Sequence, residues 1–361
     1  MLVSFIIPSY NSAPTVRRCL DSIYALSLKP EEFEVIFIDD CSTDNTVEIV
    51  EAYSRHLPKG KGVQNLVLLR QPKNNRQGAA RNRGVSVTKG EYICFVDSDD
   101  AVTEGIVDAI RLAKEKQTDM TAFHTASANE DGKITREIPH LSFPQGQVFS
   151  GIELQNRHSY WCSAPWGYIY SKSFMNKTNY PFSEGVLYED ADFVMAHLYA
   201  AKRMAYSQSL GYLAYYREGS TTHSISHKNI ADFILLGERM LRLYERIKDE
   251  RIKDERLTNE LVSELASEGE QKFAEDVLDG ACWNMYTSTK RMIKLSSMKE
   301  VQLCYDRLDS CLNRQELCAD NRLHKYYWNL WTTICLAHKK LAIVLLSVLI
   351  PMYKCMKLLR K

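Results

Sequence analysis

No G-x-G-x-x-G occurs anywhere in the 361 residues, so a dinucleotide held on the glycine turn of a Rossmann unit is disfavoured. None of the ten cysteines stands in a C-x-x-C pair, and zinc-ligand spacing is absent. Those cysteines sit mostly in apolar settings, such as Cys94 and Cys335, where buried reduced thiols are common. The chain opens directly on a strand-like run at 2–7, with no basic n-region, long apolar core or cleavage site. No signal peptide is expected, and a cytoplasmic location is the default. Strong net charge is missing as well, at +1 overall. Its distribution is uneven: residues 1–320 hold 38 Lys/Arg against 45 Asp/Glu, whereas 321–361 hold eight Lys/Arg and no acid. An acidic body with a basic tail argues against nucleic-acid binding and for a tail that meets an anionic surface.

What remains is an ordinary globular composition, 45% hydrophobic and 25% charged, long enough for a large domain and a smaller one. Residues 1–125 alternate short apolar runs with helical patterns, the sign of βαβ units and a mainly parallel sheet. The runs predict strands at 2–7, 34–38, 65–70, 91–96 and 119–124, with helices near 14–27, 44–55, 78–87 and 103–116. Pro14 is read as a first helical residue. Residues 126–228, rich in aromatics, are read as short strands and loops closing over the sheet. Segment 229–330 is helical by its apolar spacing. The Arg-Ile-Lys-Asp-Glu repeat at 246–250 and 251–255 is read as a solvated helix face.

The chemistry lies at the predicted strand ends. Tyr92-Ile93-Cys94-Phe95-Val96 runs straight into Asp97-Ser98-Asp99-Asp100. Three carboxylates so close together repel one another, which calls for a nearby cation. Oxygen ligands that share the work with water and phosphate describe Mg²⁺ or Mn²⁺. A helix N-cap is the other use for Asp100. The second strand ends in Asp39-Asp40-Cys41-Ser42-Thr43-Asp44, on the same carboxyl edge, the usual ligand crevice. There Tyr10 can cover a nucleobase and Asp40 can accept a pyrimidine N–H, while Ser42, Thr43 and Asp44 also fit a helix cap. Gly78-Ala79-Ala80-Arg81-Asn82-Arg83-Gly84 opens a helix whose N-terminal dipole suits phosphate, with Arg81 adding a charged contact.

Taken in order, Ile-Ile-Pro-Ser-Tyr-Asn (6–11), Ile-Asp-Asp-Cys-Ser-Thr-Asp (38–44), Gly-Ala-Ala-Arg-Asn-Arg-Gly (78–84) and Val-Asp-Ser-Asp-Asp (96–100) resemble the successive signatures of family 2 glycosyltransferases. That resemblance implies an α/β fold of GT-A type: a Rossmann-like, mainly parallel sheet with flanking helices, followed here by a helical C-terminal region. It implies a glycosyltransferase domain over 1–228, with a nucleotide-sugar half (1–125) and an acceptor half (126–228). It further implies that Pro8, Tyr10 and Asp40 form the base pocket, usually for uridine, and that Arg81 lines the donor pocket. Asp97 and Asp99 match the D-x-D pair, one carboxylate on the ribose and one on Mg²⁺ or Mn²⁺. Asp99 and Asp100 are both candidates for the metal. In Tyr188-Glu189-Asp190-Ala191-Asp192, the Glu-Asp pair resembles the family's catalytic base, carried here to Asp190, with Asp192 as its rival. Ala164-Pro165-Trp166-Gly167-Tyr168-Ile169-Tyr170 is similar to the aromatic segment before the acceptor site, with a place in the core as the equal alternative, and Arg217–His223 to a stretch that closes over the diphosphate. Expected partners are a nucleotide-sugar donor and a saccharide or lipid-linked glycan acceptor, of the kind used to build bacterial surface polysaccharides.

Residues 341–353 are uncharged but shorter than the ~20 needed to span a bilayer. Lys339, Lys340, Lys354, Lys357, Arg360 and Lys361 flank them, and Trp328 and Trp331 lie upstream. This pattern suits a tail (331–361) embedded in the cytoplasmic leaflet, bringing the enzyme to a lipid-linked acceptor, with a buried terminal helix or oligomer contact, or a true span, as the alternatives. Two other functions fit parts of this pattern. A sugar nucleotidyltransferase needs a Gly-rich, Arg- and Lys-containing loop after the first strand, where Pro8-Ser9-Tyr10-Asn11 stands. A membrane-tethered nucleotide-sugar sensor has no use for a base such as Asp190.

Overall fold

A computed structural model describes residues 1–56, 65–144, 146–158, 162–216, 226–254, 268–281, 284 and 287. The chain divides into two compact units, Met1–Glu218 and Gly219–Lys361.

The first unit is built on one sheet. Its first four strands, β1 (Val3–Ser9), β2 (Phe33–Asp39), β3 (Leu66–Arg70) and β4 (Tyr92–Phe95), lie within two residues of the predicted ones. β1 pairs parallel with both β2 and β4, and β2 pairs parallel with β3. Every residue of β1 and β2 is buried, as expected of central strands covered on both faces. The intervening helices are α1 (Val16–Tyr24), α2 (Thr46–His56) and α3 (Arg76–Val87). α1 shows why they pack as they do. Val16, Cys19, Leu20, Ile23 and Tyr24, spaced three and four apart, all face the core, and each large apolar side chain so buried contributes roughly 1.5–3 kcal/mol. Pro14 corrects one reading. It precedes the helix, in a turn where the Thr15 and Val16 N–H groups both donate to the Ser12 carbonyl.

Beyond β4 come β5 (Ala101–Val102), α4 (Gly105–Lys116), β6 (Met120–Ala128), β7 (Ile134–Glu137), α5 (Gly151–Arg157), β8 (Tyr168–Ser171), α6 (Lys172–Thr178), α7 (Ala191–Ala200) and β9 (Met204–Tyr215). The sheet order is β3-β2-β1-β4-β8-β6-β9-β5, with β7 beside β6. Six of the nine strands point one way; β5, β7 and β8 run against them. The middle of the chain therefore does more than close over the sheet. β8 inserts antiparallel between β4 and β6, and β9 adds a long strand at the far side.

In the second unit, α8 (His227–Asp254) buries Ile230, Ile234, Met240, Leu241 and Ile247. The stretch 268–281 is helical and buries Phe273, Val277 and Leu278. Among the described residues no helix is long and apolar enough to cross a membrane. The tail (331–361) and Arg217–His223 lie outside the described residues.

Candidate active site

The carboxyl ends of β1, β2 and β4 meet at one edge, and their loops are laced together. Asn11 N–H donates to Ser42 Oγ at 2.9 Å, and Thr43 N–H donates to Asn11 Oδ1 at 2.8 Å. Ala13 N–H donates to Asp44 Oδ2 at 3.1 Å, while Thr46 N–H donates to Asp44 Oδ1 at 3.1 Å. Asp44 thus caps the turn into α2 and also ties the β1 loop to it. Backbone strain gathers at the same edge. Asn11, Cys41, Arg76 and Tyr188 all hold φ between 52° and 69°, a region costing a non-glycine residue ~1–2 kcal/mol.

Asp40, at the end of β2, is 3% exposed. Its Oδ1 accepts Asn75 N–H at 2.9 Å, and burial raises its pKa, opposed by that bond. Pro8 is buried in β1 and Tyr10 stands 48% exposed beside it. The exposed Tyr10 ring and the buried Asp40 carboxyl thus both stand at this strand-end edge.

The turn after β4 is gripped from several sides. Ser98 Oγ and Ser12 Oγ are 2.6 Å apart, and Thr15 Oγ1 donates to the Ser98 carbonyl at 3.0 Å. Arg18 Nη2 donates to the Asp99 carbonyl at 2.5 Å. Asp99 is half-buried, whereas Asp100 is 6% exposed. Asp100 Oδ2 accepts Tyr212 Oη–H and its Oδ1 accepts Tyr215 N–H, both at 2.7 Å. Burial, together with Asp99 and Asp97, pushes the Asp100 pKa well up.

α3 carries the centre of the site. Gly78 lets the 182–189 segment come close, because a Cβ there would stand 2.1 Å from the Ser183 carbonyl oxygen. Asn82 clamps the same segment, donating to the Phe182 carbonyl and accepting its N–H, both at 2.9 Å. Gly84 lies against Ile6 and Ile38, with room for no side chain. Arg81 is 2% exposed. Its Nη1 meets Glu189 Oε1 at 2.5 Å and its Nη2 meets Asp97 Oδ1 at 2.8 Å. The guanidinium also lies 5.3 Å from the Phe182 ring. Its partners are thus carboxylates from both halves of the domain, and the helix N-terminus opposes backbone from 183.

Asp190 sits at the N-cap of α7 but makes no cap bond with its side chain. Burial and the neighbouring Glu189 raise its pKa to about 7, against the pull of Arg81. Its rival, Asp192, is 1% exposed and accepts Tyr180 Oη–H at 3.2 Å. The structure therefore brings Asp97, Arg81 and the Glu189–Asp190 pair together, and places Pro8, Tyr10 and Asp40 along the same edge. Sequence reasoning gave no role of their own to Glu189, Asn82, Arg18 and Tyr212. Glu189 had a signal in its adjacency to Asp190. Tyr212 had none, being 112 residues from its partner.

Among the described residues no group of three or more His, Cys, Asp or Glu could hold a metal ion. One Asp97 oxygen is taken by Arg81 and both Asp100 oxygens by β9. This donor set fits a hard cation held by one or two carboxylates and completed by substrate phosphates; it does not fit a protein-only cage.

The sheet, with acidic residues at the carboxyl ends of β2 and β4, defines an α/β fold of GT-A type. Its likeness to the crystal structure of Staphylococcus aureus TarS 1–349 in complex with UDP-GlcNAc has a TM-score of 0.65. That alignment covers 91% of this chain and 87% of the other at 22% identity. Residues 4–169 match the model described as Glycosyl transferase family 2. The chain is 37% identical over 123 residues to the poly(ribitol-phosphate) beta-glucosyltransferase of Bacillus spizizenii, covering 34% of this chain and 18% of the relative. It is 30% identical over 223 residues to the poly(ribitol-phosphate) beta-N-acetylglucosaminyltransferase TarS of Staphylococcus aureus, covering 61% and 36%. The chain thus spans well under half the length of these two relatives.

Proposed function

We propose that this chain is a metal-dependent, inverting glycosyltransferase that moves a sugar from a nucleotide-diphosphate donor to a saccharide or lipid-linked glycan hydroxyl. The observation that carries this reading is the bridge by which Arg81 ties Asp97, on the donor side, to Glu189, the neighbour of Asp190; burial and Glu189 push the Asp190 carboxyl up to about 7. UDP-sugar is the preferred donor class, supported by the TarS complex with UDP-GlcNAc and by Tyr10 and Asp40 following the ends of the paired strands β1 and β2.

The uracil stacks on Tyr10, and its N–H is accepted by Asp40 beside Pro8. Asp97 takes a ribose hydroxyl. Asp99 would hold Mg²⁺ or Mn²⁺, with Asp100 next to it, and such a cation supplies charge neutralisation for the departing diphosphate. Asp190 accepts the proton of the acceptor hydroxyl as that oxygen attacks the anomeric carbon from the face opposite the leaving group. The new C–O bond forms, the bond to phosphate breaks, and the nucleoside diphosphate leaves with the bonding pair. Arg81 acts by keeping Asp97 and the Glu189–Asp190 pair in register. The basic tail brings this site to the cytoplasmic face of the membrane, where lipid-linked acceptors lie.

The test is a panel of nucleotide sugars scored for Mn²⁺-dependent thermal stabilisation and then for slow hydrolysis and transfer. A ligand present at 100 times its Kd stabilises by about 2.7 kcal/mol, well within measurement. Stabilisation by UDP-sugars is the expected result; none with any nucleotide sugar would overturn the reading.

A further inference from the structure

We infer that Tyr212 is a positioning residue for donor binding, and that Asp100 is the strut through which it fixes the Asp97-Ser98-Asp99 turn. This rests on the donor reading proposed above and adds a residue to it.

Tyr212 lies on β9, fully buried, with one hydroxyl doing two jobs. Its Oη donates to Asp100 Oδ2 at 2.7 Å and accepts the Asp97 N–H at 3.1 Å. One side chain thus holds both ends of the four-residue acidic turn. Three residues on, Tyr215 N–H takes the other Asp100 oxygen at 2.7 Å. Both oxygens of Asp100 are therefore engaged by β9.

The strand that carries Tyr212 is itself held in place. β5, which follows the turn directly, pairs with β9 through Ala101–Leu213 and Val102–Tyr212. The Tyr212 ring lies parallel to Trp166, with centroids 4.6 Å apart and an interplanar angle of 3°. Trp166 belongs to the Pro165–Gly167 turn that opens β8. On the other side, Arg18 lies 3.7 Å over the Tyr215 ring while its Nη2 holds the Asp99 carbonyl. The turn between β4 and β5 is short, and its carboxylates repel one another. Without an outside brace it would relax to spread them apart. The Tyr212 hydroxyl is that brace, and the aromatic stack keeps the hydroxyl where it is needed.

The experiment uses the full chain and Tyr212→Phe, which keeps the ring and its stack and removes only the hydroxyl. Two readouts are taken: affinity for UDP with Mn²⁺ by calorimetry, and hydrogen exchange in peptides covering 95–102 without ligand. The expected results are an affinity loss of about tenfold or more, the scale of one lost buried hydrogen bond, and faster exchange at 95–102, with no comparable change elsewhere. Asp100→Asn serves as the second variant, because its amide can accept from Tyr215 N–H and donate to Tyr212 Oη. It is expected to lose less UDP affinity than Tyr212→Phe and less than Asp99→Asn. Unchanged UDP affinity in Tyr212→Phe overturns the inference, as does faster exchange spread evenly over the sheet, which would mark a role in packing alone. Failure of the unaltered chain to bind UDP removes the donor reading itself, and that failure shows before any substitution is made.

Discussion

Replacing Arg81 by Met tests the centre of the site where its energetics are clearest. Met is unbranched and apolar, so it keeps much of the contact with Phe182 while removing the charge. Arg81 is 2% exposed and Glu189 has only 5% of its side chain exposed, so the substitution strands a carboxylate that water cannot reach. Breaking a buried pair in this way costs about 3–5 kcal/mol. Asp97 adds little to that sum, because with 21% of its side chain exposed it can turn to water. For a unit of this size each kcal/mol moves the melting temperature by about 2–4 °C, so a fall of roughly 6–20 °C is expected. Urea unfolding followed by circular dichroism reads the free energy directly. The companion variant, Arg81→Met with Glu189→Gln, removes the stranded charge and is expected to recover about 0.5–3 kcal/mol relative to the sum of the singles. A loss under about 1 kcal/mol in Arg81→Met, or strict additivity in the double variant, would refute the bridging role.

Three further outcomes follow from the same geometry. With Asp190 titrating at about 7, kcat/KM should fall as pH drops through that value, because the base must be ionised to take a proton. Glu189→Gln removes a negative neighbour that raises the Asp190 pKa, so the acid limb should move to lower pH. A pH profile flat between 5 and 8, with chemistry limiting, would exclude Asp190. Gly78→Ala places a methyl 2.1 Å from the Ser183 carbonyl oxygen, and overpacking of this kind costs about 1–3 kcal/mol. The shift should be largest in hydrogen exchange over 182–189, and exchange unchanged there would mean that α3 does not dock the segment so tightly. Removing divalent cations with a chelator should weaken UDP-sugar binding, as measured by calorimetry; equal affinity with and without Mn²⁺ would take the metal out of the account.

The half of the fold that reads from the sequence is the half governed by local rules. β1, β2 and β4 are mostly apolar runs, and α1 and α4 present apolar residues at helical spacing, so their positions follow from sequence pattern. β8 and β9 do not. β8 is only Tyr168-Ile169-Tyr170-Ser171, a stretch that its aromatic neighbours make look like a loop. β9 loses its alternation where the register with β6 shifts between Phe123 and Thr125. Whether an aromatic segment lies over a sheet or within it is decided by partners distant in sequence, and no short window contains them. The site divides along the same line. Asp40, Asp97, Asp99 and Asp190 stand at element ends, where clustered carboxylates announce chemistry. Arg81 was legible as a residue but not in its contacts: its position at a helix start suggested phosphate, while the fold gives it Asp97 and Glu189, the latter 108 residues away. Gly78 makes sense only once the 183 backbone is seen against it.

The central claim is that Asp190 serves as base in sugar transfer and plays no part in holding the donor. The direct measurement compares Asp190→Asn with the unaltered chain in two assays run side by side, UDP-sugar affinity and single-turnover transfer to an acceptor. Affinity within about threefold, together with transfer reduced by 10²–10⁴-fold, the usual contribution of a general base, is the predicted result. Transfer at the unaltered rate in Asp190→Asn would contradict it.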